Sequence, residues 1–304
     1  MDARPLPEWF QIPRLLEELK ARYKAKEDAK QLLRSDKTFR HYPSSASIIM
    51  PDGGVEGECL RKIFYRHNEF AVTNPSDFSN YLRREFGTLL GTGIETELSA
   101  IAKLKFRAEV PLRTVYSPLT KEFSLRLDGL IDENGIAGGC EIKTTSSRSL
   151  QYGKKEGGGP KKSYSMQIAD YFATNPKLLW FSLLVFARDT GYCVEYHYTL
   201  GSDGLYCEGI YPKEAKIRLA WLDYGRMTTR RLIVEKHLAE KTVPPRDFKV
   251  VYRGGQIVDK RTKNGVDYKS HYMCLNYCDY RDFCWSQPGA KEDAVKVPGV
   301  IDGQ

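Results

Sequence analysis

The chain has 304 residues, 41% hydrophobic and 28% charged, with 47 Lys plus Arg against 39 Asp plus Glu and a formal net charge of +8. A chain of this length and mix buries a full core, as one elaborated domain or two small ones, which excludes disorder and fibrous repeats. The longest apolar stretch, 178–187, is already broken by Ser182, whereas a bilayer crossing needs roughly 20 apolar residues.

The opening MDARPLPEWF has no apolar middle, so an export signal is not expected and the reading places the protein in the cytoplasm of a cell or viral host, without a membrane partner. Residues 13–34 set Leu15, Leu16, Leu19 and Tyr23 at helical spacing behind Pro13, which predicts an amphipathic helical arm within 1–43. A loop through YPSSASIIMPDGG follows, then a short basic helix, CLRKIFYRHNEF, and a long helix over about 80–105. From Phe106 the period changes to that of strands: AEVPLRTVY, FSLRLDGLIDE and GIAGGCEIKT, the last two joined as a hairpin by Glu-Asn-Gly. The polar stretch GKKEGGGPKK (153–162) reads as a loop, MQIADYFATN as a helix, and LLWFSLLVFARDTGYCVEYHYTL as two strands around an Asp-Thr-Gly turn. Residues 212–241 read as helix and the last sixty or so as irregular and aromatic-rich. The alternation predicts an α/β layer architecture.

The positive charge is concentrated. Between Lys143 and Lys162 stand six basic residues and one acid, which favours an anionic partner. That stretch lacks a G-K-[ST] ending, so no ATP site is indicated. The five histidines show no metal-binding spacing, and a lone Asp-Thr-Gly has no second carboxylate to form a protease dyad.

On the predicted hairpin, Asp128 and Glu141 are separated by 12 residues, with Lys143 two beyond Glu141. Residues two apart on a strand share a face, so Glu141 and Lys143 project together, and the neighbouring strand can bring Asp128 alongside. Histidine-free oxygen ligation suits Mg²⁺ or Mn²⁺, and an adjacent ammonium can orient a water and offset charge on a phosphate. The competing reading is a solvated strand face with cross-strand ion pairs.

Cys274, Cys278 and Cys284 have C-x3-C-x5-C spacing in a chain with seven cysteines and no export signal. Thiolates so close point to a metal and need a fourth ligand. Cys140, Cys193 and Cys207 lie in apolar strand-like runs and read as inert.

In these motifs the chain resembles the PD-(D/E)XK nuclease superfamily, in the RecB-like branch that includes CRISPR-adaptation exonucleases. Four elements occur in the family's order: Gly91-x-x-x-Glu95, Asp128, Glu141-Ile142-Lys143 and Gln167-x-x-x-Tyr171. Leu127 stands where the family's naming Pro would be, and Gly87-x-x-x-Gly91 competes for the first element.

The resemblance spans roughly 44–285 and implies a restriction-endonuclease-like core, a mixed central sheet flanked by helices, with an iron–sulfur lobe joining N- and C-terminal segments. The implied domains are an arm at 1–43, the nuclease core at 44–241 and the lobe and tail at 242–304. It further implies Glu95, Asp128, Glu141 and the Ile142 carbonyl as ligands of Mg²⁺ or Mn²⁺. Asp128, Glu141, Lys143, Gln167 and Tyr171 become catalytic, with the Gln167–Tyr171 face lining a DNA channel and Lys154, Lys155, Lys161 and Lys162 contacting phosphates. Cys59 joins the C-terminal trio around a [4Fe–4S] cluster, although the family has two residues rather than three between Cys274 and Cys278. The implied activity is a metal-dependent exonuclease on single-stranded DNA in recombination, repair or CRISPR-type adaptation, with protein partners from such a complex. A catalytically silent iron–sulfur subunit that binds DNA or recruits partners, and a zinc-clasped RNA-processing factor, are the competing functions.

Overall fold

The computed structural model describes residues 20–26, 29, 41–74, 78–112, 125–133, 136–155, 159–253 and 256–297. The runs of alternating apolar residues become a seven-stranded sheet: β3 (Arg107–Leu112), β4 (Leu125–Glu133), β5 (Ile136–Thr145), β6 (Trp180–Ala187), β7 (Cys193–Gly201), β8 (Gly204–Tyr211) and β9 (Ile217–Arg218), neighbours in that order. It is mixed, because β5 and β6 pair in parallel while every other neighbouring pair is antiparallel. A parallel pair requires a crossover, supplied by α3 (Ser147–Lys155) and α4 (Lys162–Thr174).

Strand alternation divides the apolar side chains between two faces. Phe181, Leu183 and Val185 of β6 pack with Met166, Ile168, Tyr171 and Phe172 of α4 in the main core. Cys140 and Ile142 of β5, with Leu184 and Phe186 of β6, meet Ile94 and Leu98 of α2 (Phe78–Ala100) on the other face. Glu141 and Lys143 therefore lie on the α4 side, the intervening residues on the α2 side. Gly129 has to be glycine for this packing, since a Cβ there would stand 2.2 Å from the Phe106 ring.

A second core joins distant segments. Leu60, Phe64 and Tyr65 of α1 (Leu60–His67) pack with Val234 of α5 (Tyr224–Glu240), Phe248, Val250, Tyr252, Tyr280 and Trp285. The C-terminal stretch carries the small hairpins β10–β11 (Val251–Arg253, Gln256–Val258) and β12–β13 (Lys260–Lys263, Val266–Lys269) and the short helices α6 (Tyr272–Tyr277), α7 (Arg281–Ser286) and α8 (Ala290–Asp293). The hairpin β1–β2 (Ser47–Ile49, Val55–Gly57) precedes α1. Of the expected arm, residues 20–26 are helical and Tyr23 lies 4.4 Å from the Tyr81 ring of α2; the rest falls outside the described residues.

Several expectations needed correction. Residues 147–155 are helical, so the polar loop is shorter than 153–162 at its start. The helix expected over 212–241 begins only at Tyr224, where Asp223 caps it by accepting from the Arg226 N–H. Residues 204–211 and 217–218 before it complete the sheet. Among the described residues no helix is long and apolar enough to cross a membrane.

Candidate active site

The β4–β5 ladder runs from Glu133↔Ile136 to Gly129↔Cys140 and stops there. At the next position the Asp128 carboxylate replaces a backbone carbonyl, its Oδ2 accepting the Ile142 N–H at 2.8 Å. In an extended strand the N–H and C=O of one residue point to the same side, so the Ile142 carbonyl faces the opened ladder at Asp128. On the adjoining strand Glu109 has a φ of 54°, and its side chain pairs with Arg126 at 2.6 Å. The sheet is thus distorted on both sides of Asp128.

Beside this opening lies Glu141, 3% exposed. Its Oε1 accepts from the Lys143 ammonium, in close contact, and from Gln167 Nε2 at 2.7 Å. The Tyr171 hydroxyl accepts from Gln167 Nε2 at 2.8 Å and lies 3.0 Å from Glu141 Oε2 and 3.1 Å from the Arg126 carbonyl, donating to one at a time. Gln167 and Tyr171 are one helical turn apart on α4, which explains their joint approach. The resemblance assigns this helix face to a DNA channel, but both side chains are buried and clamp Glu141 instead.

Burial pushes the Glu141 carboxyl up to about 7, with Lys143 opposing and the Asp128 charge adding to the rise. Burial also raises Asp128, against the pull of the Ile142 N–H and Lys143. Partial burial raises Glu95, and the charges of Asp128 and Glu109 add to it. The Asp128 charge thus acts on both Glu95 and Glu141, and a divalent cation beside Asp128 would relieve that repulsion. For Lys143, burial alone would lower the ammonium, but Glu141 and Asp128 outweigh it and the net shift is upward. Burial and the Glu141 charge hold Tyr171 far above the usual phenol range, so it remains a donor.

The donor set suits Mg²⁺ or Mn²⁺ chemically. Asp128 Oδ1 carries no hydrogen bond among the described residues, and Glu141 Oε2 accepts only from Tyr171, so each retains lone pairs for a hard cation. Among the described residues no three His, Cys, Asp or Glu side chains already stand around a common point closely enough to grip a metal, so side-chain adjustment must accompany binding.

All four cysteines of the predicted clasp line one cavity, together with Arg61, Lys62, Tyr65, Arg246, Asp247 and Trp285. None is in a disulfide. Cys59 precedes α1, whose first N–H, that of Leu60, donates to Asp247 Oδ2 at 2.7 Å. Burial pushes the Cys274 thiol up to about 12 and Cys278 to about 11, with neighbouring thiols contributing, and raises Cys59 further. The donors are soft and share one cavity with three cations, but among the described residues no three of them stand closely enough around a common point to grip a metal.

Of the predicted phosphate contacts, Lys162 pairs with Glu56 at 3.0 Å, and Lys161 is half-buried with its Nζ 3.4 Å from Thr145 Oγ1. The side chains of Lys154 and Lys155 lie outside the described residues. Sequence reasoning missed Glu109, Tyr164, Arg188 and the buried Asp170–Arg231 pair that anchors α4 to α5. Asp170 stands between Gln167 and Tyr171 in the sequence, and the buried phase of that helix was the available signal.

No protein-family model matches the chain, and no curated protein matches it. Among solved structures, SSO0001 is similar over 90% of this chain and 96% of its own, at 15% identity and a TM-score of 0.43. The alkaline exonuclease LHK-Exo from Laribacter hongkongensis is similar over 60% of this chain and 76% of its own, at 16% identity and a TM-score of 0.33. Its complex with dAMP gives 18% identity and a TM-score of 0.34 over the same shares. Likenesses this distant carry no argument about function, which rests on the geometry above.

Proposed function

We propose that the chain is a metal-dependent deoxyribonuclease, an exonuclease with a restriction-endonuclease-like core that hydrolyses phosphodiester bonds in single-stranded DNA. The observation that carries this reading is the buried Glu141 carboxylate clamped by Lys143, Gln167 and Tyr171 beside Asp128 at a break in the sheet. A structural ion pair has no need of three donors on one buried carboxylate next to a second carboxylate, since burying such charge is costly.

Asp128 and Glu141 would hold Mg²⁺ or Mn²⁺, with Glu95 from α2 and the Ile142 carbonyl completing the protein donors. When bound, such an ion polarises a phosphate oxygen and makes a bound water more acidic. Lys143, kept protonated by its two carboxylate neighbours, orients the attacking water and offsets charge developing on the phosphate rather than removing a proton. Gln167 and Tyr171 fix the plane of the Glu141 carboxylate and exclude water from behind it. Cys59, Cys274, Cys278 and Cys284 would hold a [4Fe–4S] cluster, or zinc, as a structural clasp between the N-terminal and C-terminal segments. Recombination, repair or CRISPR-type adaptation are the settings that use such an activity.

The test is digestion of single strands labelled at either end, with Mn²⁺ supplied. Shortening from a labelled end that disappears in Asp128→Ala and Lys143→Ala is expected. Cleavage unchanged by both substitutions removes the assigned site and leaves a binding subunit.

A further inference from the structure

A second cluster of polar groups adjoins the candidate site and takes no part in clamping Glu141. Tyr164, on the first turn of α4, has Lys143 Nζ 6.0 Å and Lys161 Nζ 5.6 Å from its ring centroid. Arg188, just beyond β6, donates from its main chain to the Thr145 carbonyl at 2.9 Å and from its guanidinium to the Arg83 carbonyl of α2. Gly87 of α2 makes room here: a Cβ at that position would lie 2.6 Å from Thr144 Oγ1 and 3.7 Å from Arg188 Nη1. Lys161 and Arg188 therefore flank the end of β5, two residues past Lys143.

Neither cation has a carboxylate partner among the described residues: Lys161 meets the Thr145 hydroxyl and the Tyr164 ring, and Arg188 meets a carbonyl. The neighbouring acid, Asp189, feels the charge of Arg188 but engages both its oxygens with Ser147, accepting from its N–H and hydroxyl at 2.8 and 2.7 Å. Burial lowers Lys161, and the charge of Arg188 lowers it further. Holding the half-buried Lys161 ammonium near the exposed Arg188 guanidinium, without an ion pair of its own, opposes folding. An anion arriving with the substrate would reverse that cost.

We propose that Lys161 and Arg188, with the Thr145 hydroxyl, form a subsite for a second phosphate of the nucleic-acid strand, next to the phosphate being cut. The inference rests on the nuclease reading for the identity of the strand. It adds a requirement for at least two phosphates spanning the distance from Asp128 to Arg188. The phosphate is an internal diester or a terminal monoester, two sources of one chemistry.

The test measures binding of a fluorescent decathymidylate to the full chain in EDTA by anisotropy, over a series of KCl concentrations. Lys161→Met and Arg188→Met in one protein keep both aliphatic stems, and an unchanged melting profile confirms folding. The slope of log affinity against log salt is expected to fall by about 0.7, the share of one phosphate on a single strand. A neutral methylphosphonate walked along the strand should weaken binding to the parent at one linkage and have no effect at that linkage in the double variant. If the effect instead requires a 5′- or 3′-phosphate, the site holds a strand end. An unchanged slope, or an identical methylphosphonate profile in the two proteins, overturns the subsite whatever the cleavage assay shows. A parent protein that binds strands with the expected slope change but never cuts them overturns the nuclease reading alone.

Discussion

The clamped carboxylates and the cysteine cavity are built on opposite principles. At Glu141 every protein donor is already in place, because Lys143, Gln167 and Tyr171 occupy both carboxylate oxygens before any cation arrives. In the cysteine cavity Cys274 and Cys284 are buried, Cys59 and Cys278 are partly so, and none is in a disulfide; the walls are set mainly by packing of Tyr65, Phe248 and Trp285, with Arg61 donating to Cys284 Sγ at 3.6 Å. The first region is held by hydrogen bonds and an ion pair on one carboxylate; the second is held mainly by packing around sulfur.

Substitutions can break this contrast. Asp128→Asn and Lys143→Met are each expected to lower strand cleavage by on the order of 10³-fold, with little change in melting temperature. A comparable loss of stability would mean that these residues are structural. Next in size is Asp170→Ala, which leaves the buried Arg231 guanidinium without its carboxylate and should cost about 3–5 kcal/mol in chemical denaturation. On the other side of the comparison, Cys284→Ser should yield colourless protein with its metal content reduced and its melting temperature lowered. Metal analysis of parent and variant checks this, and equal metal content would remove the clasp. Tyr171→Phe should be the mildest, about 1 kcal/mol of stability, with cleavage reduced but retained.

Acid titration sharpens the same distinction. Burial pushes Asp170 up to about 6, with Arg231 opposing, so its folded value lies above its unfolded one. A carboxyl shifted in this direction adds stability that is full below about pH 4 and lost as pH rises through about 6. Across that window the melting temperature of the parent should decline relative to that of Asp170→Asn. A parallel pair of curves would show that the Asp170 carboxyl titrates normally.

The motif residues were legible because each signal is local. Period-two alternation places Glu141 and Lys143 together, and four-residue spacing places Gln167 with Tyr171. Their meeting across the sheet was legible only through the order of the motifs. Tyr164, Arg188 and the Asp170–Arg231 pair were not, since each acquires its role from a partner on another element. Strand β8 was missed because Gly209 interrupts the alternation of Leu205 and Cys207. The late start of α5 follows from Asp223, a capping signal that outweighs the polar helix-forming residues before it.

Consecutive arginines on α5 pull in different directions. Arg231 reaches Asp170 on the helix that clamps Glu141, while Arg230 binds both oxygens of Asp247 at 2.6 and 2.7 Å, and Asp247 in turn secures the amide of Leu60 next to Cys59. Met227 and Val234 of the same helix are fully buried in the two separate cores. A single rod thus serves as the shared wall of both halves, so protease digestion should not shed the C-terminal part as a discrete fragment but dismantle the molecule in one concerted event.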